Sequence, residues 1–190
     1  MKFIKLEKVK DGKYLKNYEL TYINKAGREK KYEIVSRKDL KVIEDIGRLP
    51  SGVSIIATMN DKLLLLHEFR MGVNKHIYNL CAGMIEPEET IEECIHRELF
   101  EETGLKVKTI KTILPPSYSA VAISDTKTYI AFVEAENSES SSQDHSSENE
   151  EIEARFYTKE EVKDLLQNQE FSSRAQLAAF YFAYGGEMFS

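Results

Sequence analysis

Alternating apolar and polar residues mark the first 37 residues as a series of short strands. Residues 18–22 alternate in this way, and a second apolar stretch resumes at 32–35. Turn sequences separate the stretches, at Asp11-Gly12 and over 24–27. The pattern predicts a small N-terminal antiparallel sheet.

Longer apolar runs predict the main sheet. Residues 52–59 and 62–68 form two such runs, split by the turn pair Asn60-Asp61. Runs that are apolar on both faces are typical of buried strands, so this segment is predicted to be a buried hairpin. Further strands are predicted at 77–82, 105–114, 126–135 and 152–157, with a loop over 115–125.

A helical period follows the strand at 77–82. Thr90 and Glu93 form a capping box, and Gly104 suits a left-handed C-terminal cap, so we expect a helix over 91–103. Apolar residues recur at every fourth position and mark its buried side. These residues are Ile91, Ile95 and Leu99.

Two further helices are predicted near the C-terminus. One begins after a second capping box, formed by Thr158 and Glu161, and ends at about residue 167; the other covers 173–184. Strands outnumber helices, and the helices come singly. This arrangement predicts an α/β fold in which helices flank a mixed sheet.

Composition narrows the protein class. The chain has 190 residues, of which 42% are hydrophobic and 31% charged, as in ordinary globular domains. We expect a cytoplasmic protein without a membrane partner, because no apolar run is long enough to span a bilayer and the first ten residues are too charged for a signal peptide. The net charge of −6 does not suggest a nucleic-acid surface. The acidity is local, since the segment 136–151 is predicted to be a mobile acidic loop.

Carboxylates cluster on the first predicted helix. Glu98, Glu101 and Glu102 stand at positions i, i+3 and i+4, which share one helix face. Like charges this close repel each other unless water or a multivalent cation compensates them. Carboxylate oxygens suit Mg²⁺ or Mn²⁺. The face is therefore either a solvated acidic surface or a metal site that receives phosphate oxygens.

Residues 83–105 match a known motif. Its fixed positions are occupied by Gly83, Glu89, Arg97, Glu98, Leu99, Glu101, Glu102, Gly104 and Leu105. This pattern resembles the Nudix box of the Nudix hydrolases. The resemblance implies the Nudix fold, an α/β/α sandwich with a mixed β-sheet, to which this chain adds its N-terminal sheet. A Nudix fold that binds a nucleotide without cleaving it is an alternative interpretation.

Segments outside the box are similar to the ADP-ribose pyrophosphatase group of Nudix hydrolases. The sequences GKYLK, KKYEIVSR, HEFR, NLCAG and ENEEI occur in the expected order. In that group an N-terminal sheet is exchanged between two subunits, whose aromatic residues sandwich the adenine. The resemblance therefore implies a homodimer, with residues 1–40 as the exchanged sheet and residues 41–190 as one Nudix domain.

The resemblance also implies how the substrate is bound. Substrate contacts are implied for Tyr14, Tyr32, Glu33, Arg37 and Arg70. Aromatic faces stack on a purine, and guanidinium groups match phosphate oxygens in geometry. From the residues alone, the two tyrosines are equally well interpreted as packing on the face of the N-terminal sheet.

Metal-binding and structural roles follow from the same resemblance. Ligands for Mg²⁺, or for Mn²⁺, are implied to be the backbone carbonyl of Ala82 and the carboxylates of Glu98, Glu101 and Glu102. Residues that shape or orient the site are implied to be Gly83, Glu89, Arg97 and Gly104. The catalytic base in this family comes from the loop before the last strand, where Glu148 and Glu150 match best and Glu151 is a further candidate. A purely acidic loop without a catalytic role is the alternative.

Two departures from the group bear on the substrate. Residues 119–122 read Ser-Ala-Val-Ala where the group usually has Ser-Pro-Gly, and Asn79 and Cys81 stand where a glutamate is usual. The prediction is metal-dependent hydrolysis of ADP-ribose to AMP and ribose 5-phosphate. The alternatives are hydrolysis of another nucleoside diphosphate sugar, such as GDP-mannose, and a non-catalytic nucleotide sensor.

Overall fold

A computed structural model of the chain describes residues 1–138 and 152–185. The described residues belong to two compact units. The first contains residues 1–51 and 115–129, and the second contains residues 52–114 together with the described residues from 130 onward. None of the helices in these ranges has the length and apolar character needed to cross a membrane.

The first unit contains the predicted antiparallel sheet. Strands β1 (Lys2–Asp11), β2 (Lys16–Ile23) and β3 (Glu29–Ser36) pair in that order. The turn between β2 and β3 is closed by Asn24, whose side-chain oxygen accepts the backbone N–H of Ala26 at 2.9 Å. A 3₁₀ turn, Ile43–Asp45, follows the sheet and was not predicted. The buried core of this unit consists of Tyr18, Leu20, Ile34 and Leu40.

The main sheet has seven strands within the described residues. Five of them lie in the order β10, β5, β4, β9, β8; in addition, β6 pairs with β5 and β7 pairs with β4. Their bounds are β4 (Gly52–Met59), β5 (Lys62–Arg70), β6 (Lys75–Asn79), β7 (Cys81–Met84), β8 (Lys106–Tyr118), β9 (Lys127–Glu136) and β10 (Ile152–Tyr157). The predicted α/β class, with a large sheet and a separate small antiparallel sheet, is confirmed.

In the part of the second unit that the structure describes, three helices pack on the strands. Helix α1 (Ile91–Thr103) lies against β4 and β7, whereas α2 (Lys159–Asn168) and α3 (Ser173–Tyr184) pack together and against β10, β5 and β6. Leu63 and Leu65 of β5 enter the core formed with α2 and α3. Because strand side chains alternate between faces, Leu64 and Leu66 are buried on the opposite face. Both faces of the sheet are therefore covered here.

Two sequence predictions of strand extent were wrong. The single strand predicted over 77–82 is two strands, because β6 pairs with β5 while β7 pairs with β4. The loop predicted over 115–125 begins only after Tyr118, since β8 continues through Pro115 and Pro116. Proline cannot donate to a strand ladder, but β8 is the terminal strand in the sheet order, where one side needs no partner. Because adjacent residues direct their N–H positions to opposite sides, this free side accommodates one of the two prolines.

Candidate metal and diphosphate site

Helix α1 presents its carboxylates where the sequence predicted. The hydroxyl of Thr90 accepts the backbone N–H of Glu93 at 3.2 Å, and the Glu93 carboxylate accepts the Thr90 N–H at 2.8 Å. Gly104 ends the helix with φ of 68°, a left-handed conformation that glycine adopts without strain. Ile95 and Leu99 are fully buried, which fixes the rotation of the helix. Glu98 and Glu102 lie side by side along one edge of this buried side of the helix.

Arg97 links the box together. Its guanidinium forms a two-pronged ion pair with Glu89, at 2.7 and 2.9 Å, and donates to Glu98 at 2.8 Å and to Glu101 at 3.0 Å. A further N–H reaches the carbonyl of Met84 at 2.9 Å. The pair with Arg97 lowers the pKa of Glu89 to about 2. The structure thus gives Arg97 and Glu89 the contacts expected of the predicted structural role.

Gly83 leaves room for Glu98. A Cβ at position 83 would lie only 1.7 Å from the Glu98 carboxyl carbon, so any other residue would displace that side chain. Glu98 itself is 8% exposed. Burial raises the pKa of Glu98, and Arg97 only partly opposes this effect. The space above Gly83 is therefore filled by a carboxylate held in a poorly solvated position.

Glu102 lies against β7. Its carboxylate accepts the backbone N–H of Ala82 at 3.1 Å and a hydrogen bond from the thiol of Cys81. Burial raises the pKa of Glu102 to about 7, and the charges of Glu98 and Glu68 add to that shift. This contact brings Ala82, the predicted backbone ligand, beside one of the predicted carboxylate ligands.

The carboxylates of this helix fit a divalent cation. Glu98 and Glu102 are hard oxygen donors whose pKa values are raised by burial first and then by neighbouring carboxylates, Glu101 and Glu89 for Glu98 and Glu98 and Glu68 for Glu102. A bound cation would relieve this repulsion. Glu101 is more exposed and is bonded to Arg97. Within residues 1–138 and 152–185, no three acidic, histidine or cysteine side chains converge into a preformed metal cage. Such a set suits a divalent cation that takes few protein ligands and completes its shell with water and phosphate oxygens.

A pH-dependent stability should reveal the unusual Glu102 carboxyl. The folded protein keeps this proton up to about pH 7, whereas an unfolded chain releases it near 4.5, the ordinary pKa of a glutamate side chain. The folded state therefore loses stability as the pH rises between these values. Solvent screens this effect because the side chain is partly exposed. Between pH 5 and 8, we therefore expect the melting temperature of the metal-free wild type to fall by only about 2–4 °C more than that of metal-free Glu102→Gln.

Thermal melts in a metal chelator measure this difference. Adding Mg²⁺ at pH 8 should raise the melting temperature of the wild type and leave that of Glu102→Gln nearly unchanged. Parallel curves for the two proteins across the pH range would contradict the assignment of a raised pKa.

The predicted adenine-binding tyrosines do not meet within one chain. Tyr14 lies in the turn between β1 and β2, beyond the pair formed by Lys16 and Ser36, whereas Tyr32 lies four residues inside β3. At about 3.3 Å per residue, the two rings are separated by more than about 13 Å along the sheet. Tyr14 and Tyr32 are 66% and 41% exposed. A sandwich formed by these two rings thus requires two chains.

The remaining predicted substrate residues fall in both units. Glu33 and Arg37 are exposed in the first unit, on β3 and just after it. Arg70 ends β5 in the second unit, which also contains the box. The candidate bases Glu148, Glu150 and Glu151 lie outside the described residues, as does most of the acidic loop predicted at 136–151.

Sequence reasoning missed a chain of hydrogen-bonded polar residues beside Arg70, in which Glu68 is buried and Asn79 and Ser172 are half-buried. Glu68 is 6% exposed. Its carboxylate accepts a hydrogen bond from Arg70 Nη1 at 3.4 Å and another from Asn79 Nδ2 at 2.5 Å. The Asn79 oxygen in turn accepts the hydroxyl of Ser172 at 2.6 Å. The unusual Asn79 was the only signal in the sequence, and its partner lies 93 residues away in the chain.

Comparison with known proteins places this arrangement in a family. Residues 48–180, well over half of the chain, match the NUDIX domain. The chain belongs to the NUDIX domain family. The predicted membership of the Nudix superfamily is thereby confirmed.

Two curated Nudix relatives share short segments with this chain. The NAD-capped RNA hydrolase NudC of Chromobacterium violaceum is 48% identical over 42 residues, which is 22% of this chain and 16% of that protein. The NudC of Mannheimia succiniciproducens is 43% identical over 61 residues, which is 30% of this chain and 23% of the relative. The matched segments span less than a quarter of either relative.

A solved structure shares the whole fold. The crystal structure of an ADP compounds hydrolase aligns with a TM-score of 0.73 at 19% identity, and the alignment covers 97% of this Nudix chain and 92% of that one. At this identity the likeness concerns the fold. It confirms the predicted Nudix sandwich with an additional N-terminal sheet.

Proposed function

We propose that this Nudix protein is a metal-dependent hydrolase that cleaves the pyrophosphate bond of a nucleoside diphosphate sugar, with ADP-ribose as its substrate and AMP and ribose 5-phosphate as its products. The observation that carries the proposal is a pair of poorly solvated carboxylates, Glu98 over Gly83 and Glu102 bonded to the N–H of Ala82. A binding module has no need of this arrangement. Similarity to an ADP compounds hydrolase and to NAD-capped RNA hydrolases supports action on a nucleotide-linked compound.

The chemistry follows from charge. A diphosphate repels an incoming nucleophile, and a divalent ion bound to Glu98 and Glu102 would neutralise this charge and lower the pKa of a water molecule. Arg97 holds Glu98 and Glu101 in fixed rotamers through its bonds of 2.8 and 3.0 Å. Arg70 offers guanidinium N–H groups to phosphate oxygens, for which the fork of donors is well matched. A glutamate of the 136–151 loop is proposed to accept the proton of the water.

A cavity in the first unit supports binding of a base. It has a volume of about 240 Å³ and is lined by the rings of Tyr22, Tyr32 and Tyr118 over an apolar floor that includes Leu20 and Ile34. Tyr32 is held in place by its hydroxyl, which donates to the carbonyl of Ala122 at 2.6 Å. Aromatic rings fixed in this way suit the flat face of a purine.

The proposed homodimer has a surface to match it. Helix α3 exposes Leu177 (70% exposed) and Tyr181 (65% exposed), four residues apart on one face. Both residues line an apolar cavity of about 590 Å³ whose opposite wall includes Leu114 and Phe132 of the sheet. A contiguous apolar surface of this kind is typical of a subunit interface.

The substitution Leu177→Lys tests the dimer. This face is proposed in addition to the exchanged N-terminal sheet. Placing a charge on it should shift the equilibrium from a species of twice 21.9 kDa toward one of 21.9 kDa, because the lysine would be desolvated on association. Light scattering coupled to size exclusion measures the mass. The matched control is Val73→Lys, a 55% exposed residue of the β5–β6 turn, which should remain dimeric. A wild type that is strictly monomeric at working concentration would contradict the proposal.

Product analysis over a nucleotide panel tests the proposed activity. ADP-ribose, GDP-mannose and NAD⁺ are incubated with the protein and Mg²⁺, and the products are separated by chromatography. AMP and ribose 5-phosphate from ADP-ribose, formed faster than any product of the other two, would support the proposal. Faster hydrolysis of GDP-mannose or NAD⁺ would show that the substrate is not ADP-ribose but another nucleotide pyrophosphate. Tight binding of ADP-ribose without cleavage in the presence of Mg²⁺ would indicate a sensor.

A further inference from the structure

The hydrogen bonds of the polar chain beside Arg70 all donate in one direction, from Ser172 through Asn79 to Glu68. Ser172 donates its hydroxyl proton to the oxygen of Asn79, so the amide nitrogen of Asn79 must face Glu68, to which it donates. Glu68 presents its second oxygen to Arg70. Each member therefore fixes the orientation of the next.

The far end of this chain is held rigidly. Ser172 is the N-cap of α3, where its hydroxyl accepts the N–H of Ala175. The backbone N–H of Tyr78 donates to the carbonyl of Glu170 at 2.8 Å, and the Tyr78 carbonyl accepts the N–H of Ser172 at 3.0 Å. The start of α3 is thus fastened to β6 immediately beside Asn79.

The Arg70 end of this hydrogen-bonded chain of residues is exposed. Glu68 is 6% exposed, whereas the side chain of Arg70 is 56% exposed. A guanidinium has five N–H donors, and the contact with Glu68 at 3.4 Å uses one of them. A buried carboxylate thus contacts one end of a guanidinium whose side chain is more than half exposed.

We propose that Glu68 is a positioning residue for substrate binding, which aims the Arg70 guanidinium at the diphosphate and is itself oriented by Asn79 and Ser172. This inference rests on the proposed function, because it takes the diphosphate as the ligand of Arg70. Glu68 does not contact the reacting atoms in this role. Its loss weakens binding of the substrate more than it slows the chemical step.

Two substitutions separate positioning from simple packing. In Glu68→Gln the new amide keeps its oxygen toward Asn79, so its nitrogen, a donor, faces the donors of Arg70. Adding Asn79→Asp reverses the amide, because the new carboxylate accepts the glutamine nitrogen as well as the Ser172 hydroxyl. The glutamine oxygen then faces Arg70 and restores an acceptor there.

Steady-state kinetics with ADP-ribose and Mg²⁺ distinguish the outcomes. Glu68→Gln should raise KM about tenfold, since a hydrogen bond to a charged group is lost, with kcat changed by less than about threefold. The double variant Glu68→Gln/Asn79→Asp should recover much of the KM. Combining Glu68→Gln with Arg70→Ala should add little to the effect of Arg70→Ala alone.

The controls keep the inference separate from the activity itself. Glu134→Gln, which removes an exposed carboxylate paired with Lys108 at 2.6 Å, should leave KM unchanged. If the wild type does not turn over ADP-ribose, the proposed function fails, and calorimetric titration with ADP then measures the same tenfold weakening in Glu68→Gln. A wild-type affinity in Glu68→Gln, or an effect that adds fully to that of Arg70→Ala, would overturn the role of Glu68.

Discussion

Replacement of Glu102 by glutamine should reduce kcat for ADP-ribose by about 10³-fold. A metal ion stabilises transition-state charge by several kcal/mol, and each 1.36 kcal/mol corresponds to a tenfold change in rate. Glutamine keeps the size of the side chain and can still accept the backbone N–H of Ala82, now 3.1 Å from the carboxylate. The variant should therefore remain folded while losing a charge that is proposed to hold the cation.

Glu92→Gln is the matched control for this experiment. Glu92 lies in the first turn of α1, is exposed, and belongs to the same helix as Glu102. Circular dichroism and turnover measured on both variants should show two folded proteins, of which only Glu102→Gln is inactive. Full activity of Glu102→Gln would remove the metal site from the proposal.

Replacement of Arg97 by lysine should lower kcat/KM by about 10–100-fold, the range found when groups that orient metal ligands are changed. Lysine retains the charge but lacks the fork that binds both oxygens of Glu89 while reaching Glu98. The negative charges of Glu89, which is half-buried, and Glu98, which is buried, would then be less well neutralised by the residue at position 97. The melting temperature should fall together with the activity, and the Mg²⁺ concentration for half-maximal rate should rise.

Arg155→Lys provides the comparison for Arg97→Lys. Arg155 forms one exposed ion pair with Glu161 at 2.6 Å, and exposed pairs of this kind contribute little to stability. Both the rate and the melting temperature of this variant should stay close to those of the wild type. An Arg97→Lys protein that also behaves like the wild type would show that charge alone, without the bidentate geometry, orients the carboxylates.

The pH dependence and the catalytic prediction concern the same carboxyl group and can be compared directly. A raised pKa of Glu102 in the metal-free protein means that cation binding competes with protonation below about pH 7. Activity at limiting Mg²⁺ should therefore fall more steeply on acidification than activity at saturating Mg²⁺. The comparison separates loss of the cation from protonation of a catalytic base elsewhere.

Local interactions are what the sequence predicted best. The bounds of α1 follow from contacts within four residues, namely the capping box of Thr90 and Glu93 and the left-handed Gly104. The hairpin of β4 and β5 follows equally from the turn pair Asn60-Asp61, both of which adopt positive φ. The family, too, was evident from a motif of 23 consecutive positions, and residues 48–180 confirm it.

Strand partners depended on the tertiary structure. The apolar segment 77–82 looks like one strand, because nothing local marks the point where its partner changes from β5 to β4. Pro115 and Pro116 look like a loop, because their place in the terminal strand of the sheet is set by the order of distant strands. Because the choice of a strand's partner depends on residues far away in the chain, a prediction that considers only neighbours in sequence cannot make it.

The site shows the same division. By itself the sequence determined that Glu98, Glu101 and Glu102 share a helix face, since helical periodicity requires it. Only the tertiary structure decided how these carboxylates differ, with Glu98 and Glu102 desolvated and Glu101 exposed. It also decided that Glu68 meets Asn79, because desolvation and hydrogen bonding between distant residues are set by the packing of β5, β6 and α3 rather than by spacing along the chain.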